Sequence, residues 1–185
     1  MCGRYYIDTD DPEMRAIADG VGRYGNVAAG EVFPTNVAPV VSPKGTLAAM
    51  RWGFTFPGGK SPVINARSET AREKPMFRRP MVSGRCLIPA SWYYEWEKQR
   101  SKKVKYAVKP PGEHNIFMAG LSAEDRDTGQ ECFVILTRPA WEGIAFIHDR
   151  MPVILPRAIH DEWLFGSDPY GTMSRALDMM EYSEV

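Results

Sequence analysis

Short runs of apolar residues, several of them alternating with polar ones, recur along this chain and predict strands rather than long helices. Val37 to Val41 and Thr46 to Phe54 read as two strands around a Ser42-Pro43-Lys44-Gly45 turn, and Pro62 to Asn65 as a shorter one. Arg85 to Ile88, Trp92 to Trp96, Val104 to Val108, Asn115 to Leu121, Cys132 to Thr137 and Met151 to Leu155 follow with the same character. Helical spacing is confined to a few places. Met14, Ile17 and Ala18 predict a short helix over Pro12 to Ala18. Thr70-x-x-Glu73 matches a capping box, so a polar helix is expected to start at Ser68 or Thr70. Helices near Arg157 to Leu164 and Met173 to Met180 are expected to close the chain. Strands in runs, with helices at the periphery and no βαβ alternation, predict an α+β fold. The expected sheet is mostly antiparallel and strongly curved or barrel-like.

Composition changes this picture little. The chain has 185 residues, 44% hydrophobic and 25% charged, as expected of one globular domain spanning residues 1–185. Fifteen prolines and sixteen glycines, spread throughout, imply many turns. No apolar run is long enough to span a bilayer, and no basic-then-apolar leader opens the chain, so the expected location is the cytoplasm without membrane attachment. Cys2, Cys86 and Cys132 are odd in number and lack CxxC spacing, which speaks against disulfides and metal clusters. Cys86 and Cys132 lie in apolar strands and read as buried and inert. No metal or cofactor is expected. Pro57-Gly58-Gly59-Lys60 lacks the pattern of a phosphate-binding loop.

Charge is more informative in its distribution than in its sum. The net charge is zero, yet twelve basic residues and four acids lie between Arg67 and Lys109, and the acids gather toward the two ends. A basic middle of this kind suits a phosphate-facing surface. The Lys-rich stretch from Ser101 to Lys105 taken alone reads as a solvated hairpin turn.

Cys2 is the residue with the most distinctive chemistry. Loss of Met1 leaves a free α-amine beside the thiol, a 1,2-aminothiol. An α-amine has a pKa near 8, so a good part is neutral at physiological pH and able to attack an aldehyde. The thiol then closes a five-membered thiazolidine, which a lysine cannot do. Gly3 permits close approach of the backbone, and Arg4 is suited to grip a phosphate. Against this stands an incidental, partly buried cysteine. A class II glutamine amidotransferase also begins Met-Cys-Gly, but the Asn-Gly pair expected of its oxyanion hole is absent here. Glu95, between Tyr94 and Trp96, is a candidate for a raised pKa and for proton transfer. His148, beside Asp149 and Arg150, has a more site-like setting than His114 or His160. An isolated Trp52 or Trp96 is more often core than a stacking platform for bases.

Seven segments extend the pattern: Pro34-Thr35-Asn36, Arg51-Trp52-Gly53-Phe54, Asn65 to Thr70, Arg85 to Ala90, Tyr93 to Trp96, Ala119-Gly120-Leu121 and Ile147 to Pro152. In this order, after Met-Cys-Gly-Arg, they closely resemble the SOS-response-associated peptidase (SRAP) family from Cys2 to about Leu155. The resemblance implies a mixed barrel-like fold and a covalent thiazolidine between Cys2 and abasic sites in single-stranded DNA. It implies that Asn65 orients the sugar or the N-terminus, that Glu95 is the acid/base group and that His148 is a second proton-transfer residue. By the same match Arg4, Arg67 and Arg150 are phosphate ligands, and Asn36, Trp52, Trp96 and Thr137 line the DNA path. The chain departs from the family's usual Gly-Phe-Tyr-Glu-Trp at Trp92 and Tyr93, and from Trp-Gly-Leu at Phe54. The expected partner is single-stranded DNA, met by a monomer that is nucleoid-associated on damaged DNA. A lyase branch by β-elimination and a non-covalent reader of modified bases are the other functional readings. Proteolysis is limited on this reading to removal of Met1, by the protein itself or by an aminopeptidase.

Overall fold

The structure is a computed structural model that describes residues 2–22, 27–56, 58–59, 61–98 and 102–185. In chain order the strands are β1 (Tyr5–Ile7), β2 (Gly30–Val32), β3 (Val37–Val41), β4 (Leu47–Trp52), β5 (Asn65–Arg67), β6 (Arg85–Ala90), β7 (Trp92–Lys98), β8 (Lys103–Lys109), β9 (Ile116–Glu124), β10 (Glu131–Pro139), β11 (Arg150–Pro152) and β12 (Glu181–Glu184). The helices are α1 (Pro12–Gly22), α2 (Pro75–Ser83), α3 (His160–Phe165) and α4 (Pro169–Met173), with single 3₁₀ turns at Glu142–Ile144 and Arg157–Ile159.

Strands β10, β4, β3, β6 and β9 pair in that order, and β9 returns to β10, so five strands close into a barrel. The pairings are antiparallel except β10 with β4, which is parallel. Closure removes free edges from these strands. The barrel interior and its flanks are filled by Met50, Leu87, Ile88, Met118, Phe133 and their neighbours, all fully or almost fully buried. A second antiparallel sheet, ordered β12-β8-β7-β1-β2, packs beside it. This is the α+β, barrel-like architecture expected of the sequence.

β10 joins the barrel to the candidate site. Its first half pairs with β4 at Cys132 and Phe133, and its second half pairs in parallel with β5 from Ile135 to Thr137. The far edge pairs with β11. One continuous strand therefore sets the heights of Asn65, Arg67, Thr137 and Arg150.

Several expected elements come out differently. The Thr70–Glu73 pattern makes a turn, closed by Glu73 N–H donating to the Thr70 carbonyl at 3.0 Å, and caps nothing. The helix begins instead at Pro75, whose fixed φ and missing N–H suit a first helical position. Residues 177–180 are not helical; helix α4 ends at Met173, and the tail turns into β12 on the edge of β8. The short strand placed at Pro62 to Asn65 is shifted toward Arg67, leaving Val63 in an isolated bridge to Phe54. The Pro57-Gly58-Gly59-Lys60 segment and the Lys-rich turn fall partly outside the described residues, as does Met1.

Candidate functional site

Cys2 lies at the seam between the barrel and the second sheet, with no solvent exposure. The segment after it is fixed by pairing: Tyr94 N–H donates to the Arg4 carbonyl at 2.8 Å, and β1 runs between β2 and β7. The Asn65 side chain, at the start of β5, donates from Nδ2 to the Cys2 carbonyl at 2.8 Å. The thiol points back toward the Arg4 carbonyl, 3.8 Å away. Burial pushes the thiol pKa up, and the charge of Glu95 pushes it further. The thiol is therefore held protonated, and a base is needed before its sulfur reacts.

Glu95 sits on β7 with 5% exposure, because alternation turns Tyr93 and Glu95 inward and Trp92 and Trp96 outward. Desolvation raises its pKa, and the Asp149 carboxylate adds to the effect. Asp149 brings His148 into the same neighbourhood. His148 Nδ1 is 2.8 Å from Asp149 Oδ1 and 3.0 Å from the Arg150 backbone N–H. Neutral imidazole with a bare Nδ1 accepts from Arg150; imidazolium faces the Asp149 carboxylate instead. The ring thus has a partner in either protonation state. Cys2, Asn65 on β5 and Glu95 on β7, far apart in sequence, come together, and the electrostatic effect of Asp149 on Glu95 is what links the His148 loop to them.

The residues expected to touch DNA range from exposed to fully buried. Arg67 is exposed, and Arg4 and Trp96 lie at the surface, with the Arg4 guanidinium 3.7 Å above the Phe33 ring and 5.4 Å from Trp96. Arg4 and Lys105 each reach Glu31 Oε1 at 2.8 Å. Asn36 is half-buried, its side chain accepting from Phe33 N–H at 2.9 Å to close the Phe33–Asn36 turn. Arg150 is nearly buried, donating from Nη2 to Glu69 Oε2 at 2.9 Å and to the Thr137 carbonyl at 2.6 Å.

Trp52 and Thr137, also expected on the DNA path, are fully buried in this structure. The Trp52 ring stacks on Phe133 and tilts against Tyr5, while its Nε1–H donates to the Ile64 carbonyl at 2.9 Å. That bond fixes the residue before Asn65. Gly53 continues the support: at φ 118°, a side chain there would bring a Cβ within 2.8 Å of Pro62. The Arg-Trp-Gly-Phe motif is thus a brace for β5. Thr137 likewise knits β5 to β11 by accepting from Ser68 N–H and from Arg150. Lys105, Glu31 and Asp149 were not expected from sequence. Lys105 was legible only as one of a Lys-rich run, and only strand register shows which face it takes. Cys86 and Cys132 are free and buried. Among the described residues no group of three or more His, Cys, Asp or Glu is placed to hold a metal ion.

The SOS response associated peptidase (SRAP) family model matches residues 1–184. The chain belongs to the SRAP family. Similar proteins include abasic site processing protein YoaM of Bacillus subtilis, 39% identical over 89% of this chain and 79% of that one. Abasic site processing protein YedK of Escherichia coli is 31% identical, again over 89% of this chain and 79% of the other. A crystal structure of a Bacteroides thetaiotaomicron protein superposes with a TM-score of 0.80, covering 100% of this chain and 92% of that one at 23% identity, a likeness of fold alone. No helix of this SRAP chain, among the described residues, is long and apolar enough to cross a membrane.

Proposed function

We propose that this SRAP chain processes abasic sites in single-stranded DNA by bonding to them covalently through Cys2 once Met1 has been removed. The observation that carries the reading is the enclosure of residue 2: its carbonyl is held by Asn65 and its thiol lies in the field of a buried Glu95. The names of the relatives, abasic site processing proteins, support the same substrate. The freed amine attacks the C1′ aldehyde of the ring-opened deoxyribose and gives a carbinolamine. Glu95, whose burial raises its pKa, supplies the proton that lets the hydroxyl leave as water. The carboxylate that results takes the thiol proton as sulfur adds to the imine carbon. That proton restores the Glu95 carboxyl and the ring nitrogen keeps one hydrogen of the original amine, so aldehyde and aminothiol give thiazolidine and one water. His148 is suited to the ring-opening proton transfer, and Arg67 and Arg4 to the flanking phosphates.

Intact-protein mass spectrometry before and after exposure to uracil-excised single-stranded DNA tests this. The expected result is loss of Met1 and a heat-stable adduct minus one water, absent in Cys2→Ala. An adduct that survives Cys2→Ala would sink the mechanism.

A further inference from the structure

The second sheet has a solvent face of which the proposed chemistry uses only the Arg4 end. On β8, alternation buries Val104 and Val108 and turns Lys103, Lys105, Ala107 and Lys109 outward. On β1 and β7 it puts Tyr6, Trp92 and Trp96 at this surface, with Tyr94 on the same side but buried beneath its neighbours. Tyr6 and Trp92 are cross-strand partners whose rings stack at 4.6 Å, 6° from parallel. The Lys105 ammonium lies 3.7 Å above the Tyr94 ring. Ala107 is the one small residue in the row of outward positions, and above it opens a trough of about 470 Å³ between Trp92, Lys109 and β12, with Ser183 and Val185 on its far wall. Trp92 Nε1–H is covered yet meets no protein acceptor. The helices pack elsewhere, α1 on β3 and β4, α2 on β6 and β9, and α3 on β6. Four bases (Arg4, Lys103, Lys105, Lys109) share this face with two acids, Glu31 and Glu181, and Lys109 meets Glu181 only at 3.9 Å.

Aromatic faces interleaved with cations at two-residue spacing suit single-stranded nucleic acid, whose bases stack without regard to sequence while phosphates meet the lysines. We propose that this face is a second, sequence-tolerant subsite for the single strand flanking the abasic nucleotide, with a base seated against Trp92 over Ala107 and its phosphates on Lys109 and Lys103. The proposal rests on the single-stranded DNA reading above and extends it away from Cys2.

Fluorescence anisotropy with undamaged DNA keeps this separate from the covalent step. Trp92→Ala is expected to weaken binding of a 20-nucleotide oligo(dT) about tenfold, and Lys109→Ala to weaken it and flatten its salt dependence. Trp92→Phe should restore most of the loss, because the ring remains. A 5-nucleotide abasic strand should give the same adduct yield with all three variants. Wild-type affinity of Trp92→Ala for the 20-mer would overturn the subsite even if the adduct forms; that is also the outcome if the face serves a protein partner. Failure of Trp92→Phe to rescue would overturn the stacking role. If no adduct forms but 20-mer binding depends on Trp92, the covalent reading fails and the subsite stands.

Discussion

Burial penalises the ionised form of Glu95, so the folded chain holds that proton to a higher pH than an exposed glutamate would. Between the ordinary value of 4.5 and the raised folded value, the native state binds more protons than the unfolded one. Stability therefore falls as pH rises through that window, and above it the full penalty remains. Glu95→Gln should melt at a higher temperature than the parent at pH 7.5 and at nearly the same temperature at pH 4. It should also form adduct roughly 10²–10⁴-fold more slowly, the usual contribution of a positioned acid. A variant that is less stable at neutral pH would mean the ionised carboxylate is held by attraction that outweighs burial. Glu69 runs the opposite way: the hydrogen bond from Arg150 holds its carboxyl at about 2. The stabilisation from this pair is present above pH 4.5 and fades as pH drops toward 2. Glu69 is 42% exposed, so Glu69→Gln should cost under about 1 kcal/mol in a urea melt. The residue types of the candidate site were legible from chemistry and family pattern together. The burial of Trp52 and Thr137 was not, because a motif lists residues without saying which lie inside and which at the surface.

Turns carry strain that strands do not. Thr35, in the turn from Phe33 to Asn36, has φ 75°, a region β-branched residues rarely enter. Pro34 at the second position fits such a turn, but the third normally asks for glycine. Thr35→Gly should raise stability by about 0.5–1 kcal/mol in urea denaturation, strain relief outweighing glycine's extra chain entropy. If the variant instead loses DNA affinity at equal or greater stability, the strained turn serves the surface beside Arg4 and Phe33. Longer strands such as Val37 to Val41 and Trp92 to Trp96 were readable from sequence because their apolar and aromatic runs are buried through their middle residues. β1 and β2 were not: three residues each give too few alternations, and β1 follows directly on Cys-Gly-Arg. β12 has no buried residue at all, so no hydrophobic pattern announces it. The tail's apolar residues suggested a helix, but Met180 is buried on the way into an edge strand.

Net neutrality hides an uneven surface, and not all of the basic middle faces outward. Arg85 is buried and serves as a clamp, donating to the carbonyls of Trp163, Met81 and Gly166. Arg72, Lys74, Arg78 and Arg79 are exposed, but the cations proposed to meet phosphates are few: Arg4, Arg67 and the β8 residues Lys103 and Lys109. With about three or four neutralised phosphates, log affinity for undamaged single strands should fall against log salt with a slope of roughly −2 to −3. Arg67→Ala should reduce that slope by about 0.7, measured between 50 and 200 mM salt; an unchanged slope would remove Arg67 from the contact set. The placement of the first residues has a further consequence, in time rather than space. β1 is an interior strand, and its partner β7 lies some ninety residues later in the chain. At about 5–20 residues per second, Trp92–Lys98 emerges from the ribosome roughly 5–20 seconds after Cys2. Until then residue 2 is unpaired and open to an aminopeptidase; once β7 docks, it has no exposed surface. On the proposed function, removal of Met1 by an external enzyme would compete with folding, and any change that speeds docking of β1 would shorten the interval open to that enzyme.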